Sequence, residues 1–127
     1  MKVFIFGNPD IEKDSLPVRI LPKLKQQLPT ITFILKDPNE EWEIPDELVI
    51  IDTVIRKNEI TIFKNLDDFI GTPRITMHDY DALTNLQYLQ KLGRLKKICI
   101  IGIPSGIDEL VAIEKIVEIF THHRWIA

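Results

Sequence analysis

The sequence is short of cysteine: Cys99 is the only one in 127 residues. A single thiol closes no intramolecular disulfide and builds no thiolate zinc cluster, so a reducing compartment fits best. No block of five or more like charges occurs, and 16 basic against 19 acidic residues leave a formal net charge of -3. That balance offers nothing for a phosphate backbone, and no nucleic-acid partner is expected. No apolar stretch approaches the roughly 18 residues of a membrane span. The opening MKVFIFGNPD has one lysine and an apolar run that stops at Gly7, without the apolar length or small-residue cleavage site of a signal peptide. The expectation is a cytoplasmic chain with no membrane partner. The segment GNPDIEKD also lacks a dinucleotide fingerprint, because no second or third glycine follows Gly7 at the required spacing.

What is present is ample for one core. Hydrophobic residues make up 45% of the chain, and its length is that of a single domain, here residues 1–127. Val3–Phe6, Ile31–Leu35, Leu48–Ile51, Ile60–Phe63 and Ile98–Ile101 are short runs rich in β-branched and aromatic residues. Runs apolar at consecutive positions predict strands covered on both faces. Three helical patterns lie between and after them. In the first, Leu16, Ile20, Leu21, Leu24 and Leu28 recur at helical spacing, with Pro17 suited to the first turn and Pro29 to a stop. Pro22 predicts a kink or a late start there. The second places Leu83, Leu86, Leu89 and Leu92 on one stripe, closed by Gly93, with Asp79 or Asp81 as its cap. The third runs from Ile107 to about Phe120, with Ser105 as cap and Leu110, Val111, Ile113, Val117 and Phe120 facing inward.

Strands alternating with helices imply an α/β fold of three layers, in which a mostly parallel five-stranded sheet carries helices on both faces. The link from Asp52 to Ile60 is too short for a crossover helix, which makes the fourth strand antiparallel. In such sheets ligands bind beyond the carboxyl ends of the parallel strands, where strand order reverses. Gly7 and Asn8 end the first strand with Asp14 a few residues on, Asp52 directly follows LVII, Gly102 ends the fifth strand, and His78 opens the loop into the second helix. A buried carboxylate such as that of Asp52 needs compensation. It either accepts backbone N–H bonds at the strand end or works as a ligand or acid/base group in the crevice. Asp14 alone reads as the N-cap of the first helix. His122 and His123 suit the last turn of the third helix through its dipole. Cys99 reads as a buried core thiol, Asp67 and Asp68 as a solvated turn, and Trp42 and Trp125 as cover for core edges.

Three segments taken together resemble the hydrogenase maturation proteases, endopeptidases that trim the C-terminus of the nickel-iron hydrogenase large subunit. VFIFGNPDIEKDSLP resembles that family's first strand and the acidic position leading into a helix, LVIIDTV its third strand ending in an aspartate, and TMHDYDAL its threonine and histidine before a helix. ICIIGIP resembles its last strand. The resemblance implies that Asp14, Asp52 and His78 form one metal-recognition site, with Asp14 and Asp52 as the candidates for the catalytic base. It implies an aspartyl-type hydrolase whose partner is a hydrogenase large-subunit precursor, and whose nickel is carried by that substrate. Two carboxylates and an imidazole also suit zinc or cadmium in vitro, and three ligands leave open positions. The chain departs from the family around the first acidic position, where EKDSLP replaces glycines, and after the second strand, where LKDPNEEWEIP replaces a glycine-rich turn. These departures motivate an alternative, a non-catalytic metal-binding or hydrogenase assembly factor of the same fold. A third reading makes the three residues mere caps in a doubly wound ligand-binding module.

Overall fold

The computed structural model describes residues 1–36, 43, 45–55, 57–70 and 77–122, of which 70 and 77–83 are described by their backbone alone. Expectations that fell on Trp42, His123 and Trp125 lie outside the described residues.

Five strands form one sheet: β1 (Lys2–Ile5), β2 (Thr32–Leu35), β3 (Glu47–Val54), β4 (Thr61–Phe63) and β5 (Lys97–Pro104). Among the described residues four helices accompany them: α1 (Leu16–Gln27), α2 (Leu66–Ile70), α3 (Met77–Lys91) and α4 (Glu109–His122). The strand order is β2-β1-β3-β5-β4, parallel throughout except for β4, which pairs antiparallel with β5. The α/β class, the five strands and the antiparallel fourth strand are therefore as the sequence predicts.

Side-chain alternation divides the core. Val3, Ile5, Val49, Ile51, Cys99 and Ile101 meet Leu16, Ile20 and Leu24 of α1 and Ile113, Ile116 and Phe120 of α4. Phe4, Phe6, Leu48, Ile50, Ile98 and Ile100 meet Leu66 and Phe69 of α2 and Leu86 of α3 on the other side. Seven of the eight residues in β3, and likewise in β5, are buried, as strands covered on both faces must be.

Several local expectations are corrected. Pro22 neither delays nor ends α1, which runs unbroken from Leu16. Pro22 lies on the exposed face, where water can take over the carbonyl bond that its missing N–H leaves unmade. Asp79 and Asp81 do not cap α3, which already begins at Met77, and His78 is thus the second residue of a helix rather than part of a loop. Asp67 and Asp68 are exposed as expected but belong to the short α2. Ser105 does not cap α4: its N–H is bonded to the Val54 carbonyl, and the turn after β5 delays the helix to Glu109. Within α4, Ala112, Ile113, Ile116 and Phe120 point inward, while Leu110 and Val111 are exposed, against the expected inward face.

At the carboxyl end of β5, Gly102 stands opposite Asp52 in register. A Cβ there would lie 2.9 Å from Val54 Cγ1 and 3.0 Å from Phe63 Cε2, both in the packed layer of β4 and β3. Gly102→Ala is therefore expected to cost roughly 1–3 kcal/mol by overpacking. Urea unfolding measures it, and an unchanged midpoint would show that Val54 and Phe63 can step aside.

Candidate functional site

The strand order locates the place to look. From β1 the chain moves outward through α1 to β2, then returns past β1 to β3, so the direction of winding reverses between β1 and β3. A crevice opens at the carboxyl ends of strands flanking such a reversal. Here β3 outruns its neighbour: β1 pairs with it only as far as Ile5 opposite Ile51, with one more bond from the Phe6 N–H to the Ile51 carbonyl at 3.0 Å. Asp52 and Thr53 continue beyond that point, level with the segment that leads from Gly7 to α1.

That segment folds back on itself. A single 3-10 turn, Glu12–Asp14, brings Asp14 over the end of β1, where the Asn8 N–H donates to both the Asp14 carbonyl and its Oδ2 at 3.1 Å. Asp14 is only 2% exposed. It is not the cap of α1, since Ser15 holds that position and the Asp14 carboxylate accepts from Asn8 instead of from a helix N–H. Burial lifts its pKa above the ordinary 3.8, while the Thr53 hydroxyl and the Asn8 N–H pull the other way with smaller effect. Its second oxygen, Oδ1, has no hydrogen-bond partner. A buried carboxylate oxygen without a donor calls for a proton or a cation.

Asp52 is fully buried, and its Oδ1 accepts the Thr53 N–H at 2.8 Å. The bland reading of a strand-end aspartate bonded to backbone is thus part of its role. Thr53, 3% exposed, connects the two acids, since its N–H serves Asp52 and its hydroxyl faces Asp14. Sequence reasoning passed over this threonine. The available signal was a polar residue extending a run of buried apolar positions, which strand propensity alone explains equally well.

Asp14 lies in the turn that follows β1, and Asp52 in the stretch of β3 that runs on past β1. His78 stands in the first turn of α3, and its side chain lies outside the described residues. Among the described residues, no group of three His, Cys, Asp or Glu side chains is arranged to hold a metal.

No family model matches the chain, and no curated protein matches it in sequence. Solved structures do. The hydrogenase maturating endopeptidase HybD from E. coli superposes with a TM-score of 0.66 over 93% of this chain and 88% of its own, at 19% identity. The [NiFe] hydrogenase maturation protease HybD from Thermococcus kodakarensis superposes with a TM-score of 0.60 over 95% of this chain and 97% of its own, at 22% identity. A further endopeptidase from Escherichia coli, solved in solution, matches with a TM-score of 0.64 at 17% identity over 93% and 88% of the two chains. The chain has the fold of the hydrogenase maturation endopeptidases. Within the maturation-endopeptidase fold of this chain, two other reactive groups among the described residues lie elsewhere. Cys99 is fully buried mid-strand with its thiol pushed up to about 11 by desolvation, which leaves no thiolate at neutral pH. His122 is exposed in the last turn of α4, lining a groove of about 510 Å³ with Ile60 and Ile62 beside β4.

Proposed function

We propose that this chain is a cytoplasmic, single-domain endopeptidase that removes the C-terminal extension of a nickel-iron hydrogenase large-subunit precursor after reading its nickel. The observation that carries this reading is the pair of buried aspartates at the reversal of strand order, on a fold shared with HybD over more than nine tenths of the chain. Among the described residues no helix is long and apolar enough to cross a membrane, in keeping with a protein substrate met in solution.

Asp14, Asp52 and His78 are the proposed ligands of the nickel that the precursor brings. His78 enters on the strength of the TMHDYDAL resemblance and of its position in the first turn of α3. Oxygen and nitrogen donors of this kind suit a borderline divalent ion, so zinc or cadmium should compete in vitro. Docking through the metal fixes the orientation of the adjoining peptide bond, which converts attack by water into a step with prepaid positional entropy. A carboxylate takes the proton of that water. Asp14 and Asp52 are the candidates for it, and burial raises the proton affinity of Asp14. The proton then passes to the leaving amine, and the products are the trimmed subunit and the released peptide.

The test is a mass assay of the cognate precursor, loaded with nickel or kept nickel-free, incubated with the wild-type protein. Cleavage of the loaded form alone is the expected result. Binding of the loaded precursor without any cleavage would replace this reading by the assembly-factor alternative, and equal cleavage of both forms would remove nickel recognition from it.

A further inference from the structure

Thr53 has two polar groups in a place that otherwise demands apolar packing. Alternation along β3 sends its side chain to the same face as Val49 and Ile51, toward the layer of α1 and α4. A valine would fill that volume without burying a hydroxyl. Neither the buried Thr53 Oγ1 nor the buried Asp14 Oδ1 has a hydrogen-bond partner, and the Thr53 hydroxyl lies beside the Asp14 carboxylate. An unmade bond to a buried hydroxyl costs roughly 1–3 kcal/mol, a penalty that persists in a fold only if the group is used. A hydroxyl able to donate and a carboxylate oxygen able only to accept complement each other.

We infer that Thr53 is a positioning residue for the proposed nickel-reading site, its hydroxyl donating to Asp14 Oδ1 and its N–H to Asp52 Oδ1. One residue then sets the orientation of both carboxylates. The inference rests on the functional reading above in what the carboxylates bind, but the contact between Thr53 and Asp14 stands on its own. The N–H is fixed by the strand and serves Asp52 whatever the side chain. The hydroxyl is the replaceable half. With it in place, Asp14 presents its carboxylate in one rotamer; without it, the carboxylate is tethered only by Asn8 at Oδ2 and turns about that bond.

The experiment uses the whole chain with Thr53→Val, Thr53→Ser and Asp14→Asn, singly and as the double variant Thr53→Val with Asp14→Asn. Urea unfolding of the four members of the Val and Asn cycle reads the contact without any metal. The expected result is a non-additivity of roughly twofold or more in the folding equilibrium constant, the usual range for groups in contact. Calorimetric titration with nickel chloride reads the consequence. Thr53→Val is expected to weaken nickel binding roughly 10- to 100-fold, as loss of a residue that orients a ligand does, while Thr53→Ser retains wild-type affinity. Additivity in the cycle overturns the inference whatever nickel does, and so does nickel binding by Thr53→Val at wild-type strength. A wild type that binds no nickel at all refutes the functional reading instead, and the cycle alone then decides the Thr53 and Asp14 contact.

Discussion

Replacing Asp14 by asparagine is expected to abolish cleavage and nickel capture while making the folded chain more resistant to heat at neutral pH. The two halves of this result have one cause. Asp14 is buried, and desolvation holds its folded pKa above the unfolded value, so the charge it carries at neutral pH is carried at a cost. The sign follows directly. A carboxyl with a raised folded pKa contributes stability that is full below the unfolded value of 3.8 and is lost as pH rises through the folded value. Asparagine has no such loss, and it keeps an oxygen to accept from the Asn8 N–H. The advantage of Asp14→Asn should therefore be larger at pH 7 than at pH 3, as melting curves at the two values would show. Cleavage should fall by on the order of 10²-fold or more, the usual effect of losing a positioned acid or base. An advantage of equal size at both pH values, or a variant that still cleaves at the wild-type rate, would remove Asp14 from its proposed role. A site that is costly to fold and needed for work is the pattern expected where function, and not packing, selects the residue.

Much of this was legible in the sequence, and the parts that were not share a cause. Four apolar residues followed by Asp52 mark a covered strand with a charge at its end, and the alternation of such strands with leucine stripes leads to the sheet and its edge without any coordinates. Asp14 was legible as an acid near that edge but not as what it is. The N-cap reading assumed that helix and loop meet at it, whereas the 3-10 turn puts it one residue short of the cap and turns its carboxylate back to Asn8. The same holds at Ser105, where a bond to the Val54 carbonyl from across the sheet overrides a local capping signal. In both places a contact distant in sequence decides the geometry, and local patterns have no term for it. Thr53 was missed for a different reason. Threonine in a strand needs no explanation from propensity, and only the atoms facing its hydroxyl make it unusual.

The glycine that opens the loop shows how closely backbone and site are coupled, and Gly7→Ala is the second substitution expected to have a large effect. A Cβ at Gly7 would lie 2.9 Å from the Asp14 carbonyl oxygen, 3.2 Å from Val18 Cγ2 and 3.6 Å from Pro17 Cβ. The nearest of these is a backbone atom, which cannot rotate away as the end of a side chain can. Either Gly7 retreats from the end of β1, or the 3-10 turn moves and takes Asp14 with it. The second course strains both bonds from the Asn8 N–H, because the Asp14 carbonyl and carboxylate share that one donor. Overpacking of this kind costs roughly 1–3 kcal/mol in stability. Nickel affinity should fall as well, by roughly 10- to 100-fold, as it does when a ligand loses its orientation. Gly106→Ala is the control, since no atom lies within 4 Å of the Cβ it would add, and it should leave both quantities near wild type. Chemical unfolding and calorimetric titration of the two variants separate the effects. If Gly7→Ala unfolds earlier yet binds nickel as tightly as the wild type, the clash is relieved at β1 and Asp14 is held independently of this loop; if it changes neither, the approach of Gly7 to Asp14 is looser than the contact distances imply.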